Sequence, residues 1–426
     1  MISIPAVSNE RSVWLRVGTL LDGFSVTPLK DVHVVYDARS IRYVGSAEKS
    51  PPADLLNPGQ AQPDLELRDF TLLPGLIEAH AHLFLEGGEL NGEKRNAYSK
   101  QTPKELLRAA RSRLEKLVRI GIIAVRDAGD KHGVGLSLNQ LYRRDDRPLM
   151  PYVDSPGAAI HHKGRYGGFM ADPIESHHSL KDCVESRIQA GADRIKLIAT
   201  DIIDFRAGRV VKEPQMTTQE VAELVSAAKG FGKQTFAHAS GDAGIERVIA
   251  GGVDSVEHGF FIRKDQLARM RDRQIAWVPT FAPVQKQVDH ADYMSWDERI
   301  ISNLQKILDQ HAASLVKAHE MGVRIIAGSD AGSCGVAHGF GFLDELELME
   351  QAGLSALSVI NAATGNGSNR LAFKENFGQI KPGYRSRFII TQHSPLEGIA
   401  NLRKHKYVVY DGAIEESAVN VDATGL

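Results

Sequence analysis

The stretch LLPGLIEAHAHLF, residues 72–84, decides the fold class. It is an apolar run, broken once at Pro74-Gly75, that delivers His80 and His82 with a single alanine between them. The run reads as a buried strand, and on a strand positions i and i+2 share a face, so both imidazoles point the same way at its carboxyl end. One histidine in such a place is ordinary hydrogen-bonded core. Two side by side call for a common partner.

Outward from this stretch, compact β-branched runs alternate with amphipathic helical segments such as TPKELLRAARSRLEKLVRIG and TTQEVAELVSAAKGFG. The strand candidates are LLPGLIEAHAH, GIIAVRDAG, PYVDSPGAAI, DRIKLIAT, KQTFAHAS, VDSVEHGF, IAWVPTF and VRIIAGSDAG. That number is the one that closes a (β/α)8 barrel, whose chemistry sits at the carboxyl ends of the strands. Before and after it, VWLRVGTLLDG, VHVVYDARSIRYVG, SRFIITQ and KYVVYDGAI have the alternation of short antiparallel strands. The expected fold is α/β, a TIM-like (β/α)8 barrel over residues 72–378. A small β-sandwich domain is expected from both termini, residues 1–71 and 379–426.

A chain of 426 residues with 42% hydrophobic side chains has room for such a core. Its 51 basic and 53 acidic residues leave no charge excess to favour nucleic acid or an anionic membrane, so a small-molecule substrate is expected. Two cysteines, Cys183 and Cys334, are too few for a disulfide framework. With no signal-like N-terminus and no apolar stretch of roughly 20 residues, a cytoplasmic location is expected, and a homo-oligomer with it.

Later strands repeat the opening anomaly. Lys196 in RIKLIAT, His238 in TFAHAS, His258 in SVEHG and Asp330 in AGSDAG are each polar within an otherwise apolar run near a strand's carboxyl end. Six such groups buried without partners would cost several kcal/mol apiece, and a metal removes that cost. Imidazole nitrogen and carboxylate oxygen suit zinc and related divalent ions. An ammonium has no lone pair, so Lys196 ligates only if its charge is removed; carboxylation would make it an anionic carbamate able to bridge two ions that share a hydroxide.

These residues carry a resemblance. The H-x-H of LPGLIEAHAH, the strand-four lysine, the single histidines of strands five and six and the strand-eight aspartate resemble the binuclear, carboxylated-lysine branch of the amidohydrolase superfamily. Within it, IKLIATD, AHASGDAGIERVIAGGVDSVEHG and GSDAGSCGVAHGFGFLDELELMEQAGLS are similar to the Xaa-Pro dipeptidase and arginine carboxypeptidase-like group, to which ochratoxin-type amidohydrolases are related. The resemblance implies two divalent ions per chain, zinc being expected. His80, His82 and Asp330 would hold the more buried ion, His238 and His258 the more exposed one, and N6-carboxylated Lys196 would bridge them. It also implies hydrolysis of an amide or peptide C–N bond, in an N-acyl amino acid or dipeptide-like substrate, with Asp330 moving the proton.

The chain departs from the group's pattern at Ser240, where a second polar ring is usual after the strand-five histidine. It departs again at ATDIID, which brings Asp201 and Asp204 near the expected pocket, and at Arg387, where the family has an aspartate. His162 in IHHKGRYGGF is the candidate for orienting a substrate carbonyl or carboxylate; His338 in GVAHGFGF is a second. A free carboxylate would need a cationic or hydroxyl clamp from Arg165, Arg206, Arg209 or a nearby tyrosine. Carbamate, urea or lactone hydrolysis is the alternative on the same centre. A non-catalytic scaffold is disfavoured, since no ligand is missing. Deamination is disfavoured because Ala239, Ser240 and Gly241 follow His238 where mononuclear deaminases carry H-x-x-E.

Overall fold

Apolar and polar side chains alternate from Val13 onward, and the alternation folds as antiparallel strands: β1 (Val13–Leu20), β2 (Leu29–Tyr36) and β3 (Ile41–Ser46). The structure is a computed structural model that describes residues 4–5, 11–130, 132–144 and 149–417. Parts of the expected terminal domain, at 1–3, 6–10 and 418–426, lie outside the described residues. β4 (Leu65–Pro74) then runs parallel to β1.

After Gly75 the chain changes style. β5 (Leu76–Ala81), β6 (Ile122–Asp127), β7 (Tyr152–Asp154), β8 (Ile195–Ile198), β9 (Thr235–Ala239), β10 (Ser255–His258) and β11 (Ala276–Val278) are parallel and buried along their whole length. Such strands read as continuous apolar runs because helices cover them. The helix Pro103–Ile120 shows how: Leu106, Ala110, Leu114 and Leu117 form its buried stripe, and a Thr102–Glu105 capping box starts it.

The expected ring of eight regular strands is corrected in one respect. Regular pairing gives two sheets, β5-β6-β7 and β8-β9-β10-β11, and residues 323–332 form no strand. Asp330 takes a left-handed φ of 57°, and a Cβ on Gly328 would fall 2.9 Å from the His80 nitrogen, so the backbone there cannot hold a regular ladder. Single bonds replace it. Ala79 N donates to Ala327 O at 3.0 Å, His82 N to Ala331 O at 2.7 Å and Trp277 N to Arg324 O at 2.9 Å. At the other seam Ile160 N donates to Lys196 O at 2.8 Å.

β12 (Arg387–Thr391), β13 (Lys406–Tyr410) and β14 (Ala413–Ser417) complete the terminal region. The expected sandwich is likewise corrected: among the described residues both termini enter one seven-stranded sheet, in the order β14-β13-β12-β4-β1-β2-β3. Its second layer is the barrel side of the molecule, and Arg387 ties the two together. This buried guanidinium donates to Asp411 at 3.0 and 2.5 Å and to the Tyr142 hydroxyl at 2.8 Å, which accounts for it in packing terms.

The turn between β4 and β5 explains why the opening stretch splits, with Leu72–Pro74 in the terminal sheet and Leu76–Ala81 in the barrel. Gly75 N donates to Arg387 O at 3.0 Å, and Leu76 N to Gly121 O at 2.8 Å. A Cβ on Gly75 would stand 2.3 Å from Ile123 Cγ2. Gly75→Ala is therefore expected to destabilise the protein by about 1–3 kcal/mol through overpacking, and the bulkier Gly75→Val by more. Urea unfolding of the two variants checks this; a neutral Gly75→Ala would show that the seam is loosely packed.

Candidate metal centre

Strand ends and one irregular segment deliver the six anomalous side chains. His80 is on β5 with His82 just past its end, Lys196 is on β8, His238 on β9, and His258 closes β10; Asp330 comes from the segment beside β5. All six line one open cavity of about 200 Å³. His80 Nε2 lies 3.5 Å and His82 Nε2 3.3 Å from Asp330 Oδ1. The ring of His258 is centred 5.0 Å from that of His80 and 4.5 Å from that of His238. His258 and Thr280, which hydrogen-bond at 2.7 Å, both take left-handed φ values, 67° and 53°. Strain of about 1–3 kcal/mol per residue persists only where the surroundings over-determine it.

Behind the cavity stands a buried ionic frame. Glu257 Oε2 accepts from His80 Nδ1 at 2.6 Å and from Arg126 Nη2 at 2.7 Å, while Ser255 Oγ donates to Glu257 Oε1 at 2.6 Å. Burial alone would raise Glu257, but the Arg126 guanidinium and His80 outweigh it and hold the carboxyl at about 2. The carboxylate thus fixes the proton of His80 on Nδ1 and turns its Nε2 lone pair toward the cavity. Burial lowers His80 to about 4 and His238 to about 3, with Lys196 adding to both, and lowers His258 as well. Lys196, with Nζ 4.7 Å above the Phe236 ring, is pushed down by burial to about 8 against the pull of Glu257 and Asp330. For Asp330 burial works upward, but the neighbouring imidazoles of His82, His80 and His258 hold it well below the usual carboxylate range.

Neutral imidazoles beside an ionised carboxylate are the protonation states that metal ligands need. Three buried atoms in this cavity, His80 Nε2, His238 Nε2 and Asp330 Oδ1, have no hydrogen-bond partner. Leaving each so would cost about 1–3 kcal/mol. His80, His82 and Asp330 can bring one ligand atom apiece within 4.8 Å of one another. The donor set therefore fits divalent metal.

Other expected residues fall outside the lining. His162 Nδ1 bonds Glu175 at 2.8 Å, Glu220 lies 3.3 Å from its Nε2 without a hydrogen bond, and the residue is not among those lining the cavity. His338 Nε2 is engaged by Leu85 O at 2.9 Å. Asp204 organises a turn by accepting from Ala207 N at 3.0 Å. Arg165 is bound to Asp201 at 3.0 Å, Arg206 lies 5.6 Å over the Trp296 ring, and Arg209 pairs with Asp204 through its backbone. Asp201 does contribute indirectly: it accepts from Tyr166 N at 2.9 Å, and Tyr166 lines the cavity with its ring 5.2 Å from His238. Ser240 also lines the cavity. Sequence reasoning missed Tyr166, Glu257 and Arg126, although the last two bear the same mark as the ligands, a charge inside an apolar strand.

A model of the amidohydrolase family matches residues 71–414. Ochratoxinase of Aspergillus niger is 24% identical over 439 residues, covering 95% of this chain and 86% of that protein. The crystal structure of a Xaa-Pro dipeptidase with bound methionine in the active site superposes with a TM-score of 0.79 at 24% identity, over 95% of this chain and 100% of the other. Phenylurea hydrolase B superposes with a TM-score of 0.70 at 15% identity, over 97% and 99%. At these identities the solved structures show a shared fold.

The frame behind His80 makes a separate test. Glu257→Gln leaves Arg126 facing a neutral partner in a buried site, and is expected to destabilise the protein by about 3–5 kcal/mol. It should also weaken divalent-ion binding about 10- to 100-fold, as loss of a ligand-orienting carboxylate does. Urea unfolding and competition with a chelator measure the two effects; unchanged ion affinity would contradict the orienting role.

Proposed function

The chain belongs to the amidohydrolase family, a hydrolase acting on C–N bonds, and from that premise we propose that it is a metal-dependent enzyme cleaving the amide bond of a small molecule. One observation carries this reading: six side chains from four strand ends and one irregular segment line one cavity, and three of their ligand-type atoms are buried there without partners among the described residues. His80, His82 and Asp330 would hold one ion and His238 and His258 a second, with carboxylated Lys196 shared between them; zinc suits the set. Bound there, divalent ions supply a water acidic enough to attack at neutral pH and polarise the substrate carbonyl.

The chain's own residues do the rest. Glu257 and Thr280 orient the rings of His80 and His258 through their Nδ1 atoms. Ser333 Oγ donates to Asp330 Oδ2 at 2.8 Å, leaving Oδ1 to face the cavity. Asp330 takes up the proton released on attack and passes it to the departing nitrogen, which leaves poorly as an anion. Burial keeps the Tyr166 phenol protonated, so it is a donor for a substrate oxygen. The Lys196 amine adds to carbon dioxide and loses a proton, exchanging a buried cation for an anion. His162, bonded to Glu175, stays outside this machinery.

The expected N-acyl amino acid or dipeptide carries a free carboxylate. Among the described residues no arginine lines the cavity, which favours an amide without that carboxylate; carbamate, urea or lactone hydrolysis is the alternative on the same centre.

Asp330→Asn is expected to keep the fold while reducing turnover of a hydrolysed amide by more than about 10²- to 10⁴-fold, the worth of positioned proton transfer alone. Near-normal turnover would mean that another group handles the proton. Lys196→Ala should lose bound ions and activity together and regain part of both in propionate, which imitates the carbamate head. Lys196→Arg should regain neither, since guanidinium keeps its charge and fills the space. A fully active Lys196→Ala protein would refute the bridging role.

A further inference from the structure

The cavity has two unlike sides. The ligand-type residues form one; the other is apolar, built by Ile202, Ile203 and Phe205 from the segment after β8 together with Phe260, Val284 and Met170. This wall is a packed structure. Ile203, Phe260 and Val284 belong to one cluster with Ile300, Leu304 and Ile307 of the helix Glu298–Glu320. Behind it the Phe260 ring stacks on buried His311, centroids 4.0 Å apart, and His311 Nε2 is held by Pro279 O at 3.0 Å. Ile202, by contrast, is 54% exposed, an apolar side chain at the cavity that solvent covers in the free protein.

Cations are distributed the other way. Lys196, on the ligand side, is the one lysine or arginine among the described lining residues. Arg165, the nearest expected clamp in sequence, is satisfied by Asp201 and by Glu213 O. The remaining polar lining on the substrate side is uncharged: Tyr166, Ser240 and Gln287. A carboxylate beside the scissile bond would enter this half of the cavity with no lysine or arginine among the described lining residues there to receive it, whereas an aryl or branched alkyl group would cover apolar surface.

We propose that the substrate is an uncharged amide, carbamate or urea that lays an aryl or branched alkyl group on the wall of Ile202, Ile203, Phe205 and Phe260 and bears no free carboxylate next to the bond cleaved. The proposal deepens the hydrolytic reading and rests on it for the identity of the bond, but its ligand preference is measurable without turnover.

The test is a matched pair, N-acetylphenethylamine and N-acetylphenylalanine, which differ only in the carboxylate. Binding of each to the metal-loaded protein is measured by calorimetry, and release of the amine is followed alongside. The neutral ligand is expected to bind about 10-fold more tightly or better, because an unpaired carboxylate is desolvated at a loss. Ile202→Arg, at an exposed position that tolerates charge, should strengthen N-acetylphenylalanine and weaken its neutral partner. Phe260→Ala should weaken the neutral ligand most, with ion content unchanged. Tighter or equal binding of N-acetylphenylalanine by the parent protein would overturn the proposal. Preference for the neutral ligand with neither compound hydrolysed would support it while counting against the hydrolytic reading.

Discussion

The interior of this protein is organised by the penalty for burying nitrogen and oxygen atoms without partners. Six polar side chains stand at strand ends and in one irregular segment where apolar residues would pack at no such penalty, and three of their atoms are left unpartnered among the described residues in one cavity. A structure tolerates this only if something else satisfies them. The surrounding features follow. Glu257 and Arg126 are buried to orient His80, Thr280 holds His258, and the backbone accepts left-handed conformations at His258, Thr280 and Asp330 to aim their side chains. Irregularity at 323–332 is part of the same arrangement, since a regular ladder would turn Asp330 elsewhere.

The fold supplies a rigid frame for a divided cavity. Parallel strands give most of the ligand-type side chains fixed origins, and the segment after β8 adds Ile202, Ile203 and Phe205 to the lining. Asp201, from that segment, binds Arg165 and by accepting from the Tyr166 nitrogen also places Tyr166.

The ligand side was legible in the sequence because each of its residues breaks a local pattern: a histidine, lysine or aspartate in a strand that is otherwise apolar. Glu257 and Arg126 break the pattern equally, in SVEHG and GIIAVRDAG, and were readable by the same rule. Loop residues were not. Whether His162 faces the substrate or Glu175, and whether Arg165 faces a carboxylate ligand or Asp201, depends on neighbours distant in the chain. Sheet membership failed for the same reason. Alternation marks Val13–Leu20 and Arg387–Thr391 as strands, but their long-range pairing decides that the termini share a single sheet. The break at Gly75 is intermediate: Pro-Gly marks a turn, while its role as the seam between sheets depends on Ile123 and Arg387.

The central claim is that the unpartnered atoms belong to ligands of two ions bridged by modified Lys196. Elemental analysis of purified protein, combined with intact mass measured under non-denaturing conditions, tests it most directly. The account predicts close to two divalent ions per chain and a mass increment at Lys196 equal to one carbon dioxide, lost together in acid. A saturating value of one ion with unmodified Lys196, or no ion at all, would contradict it.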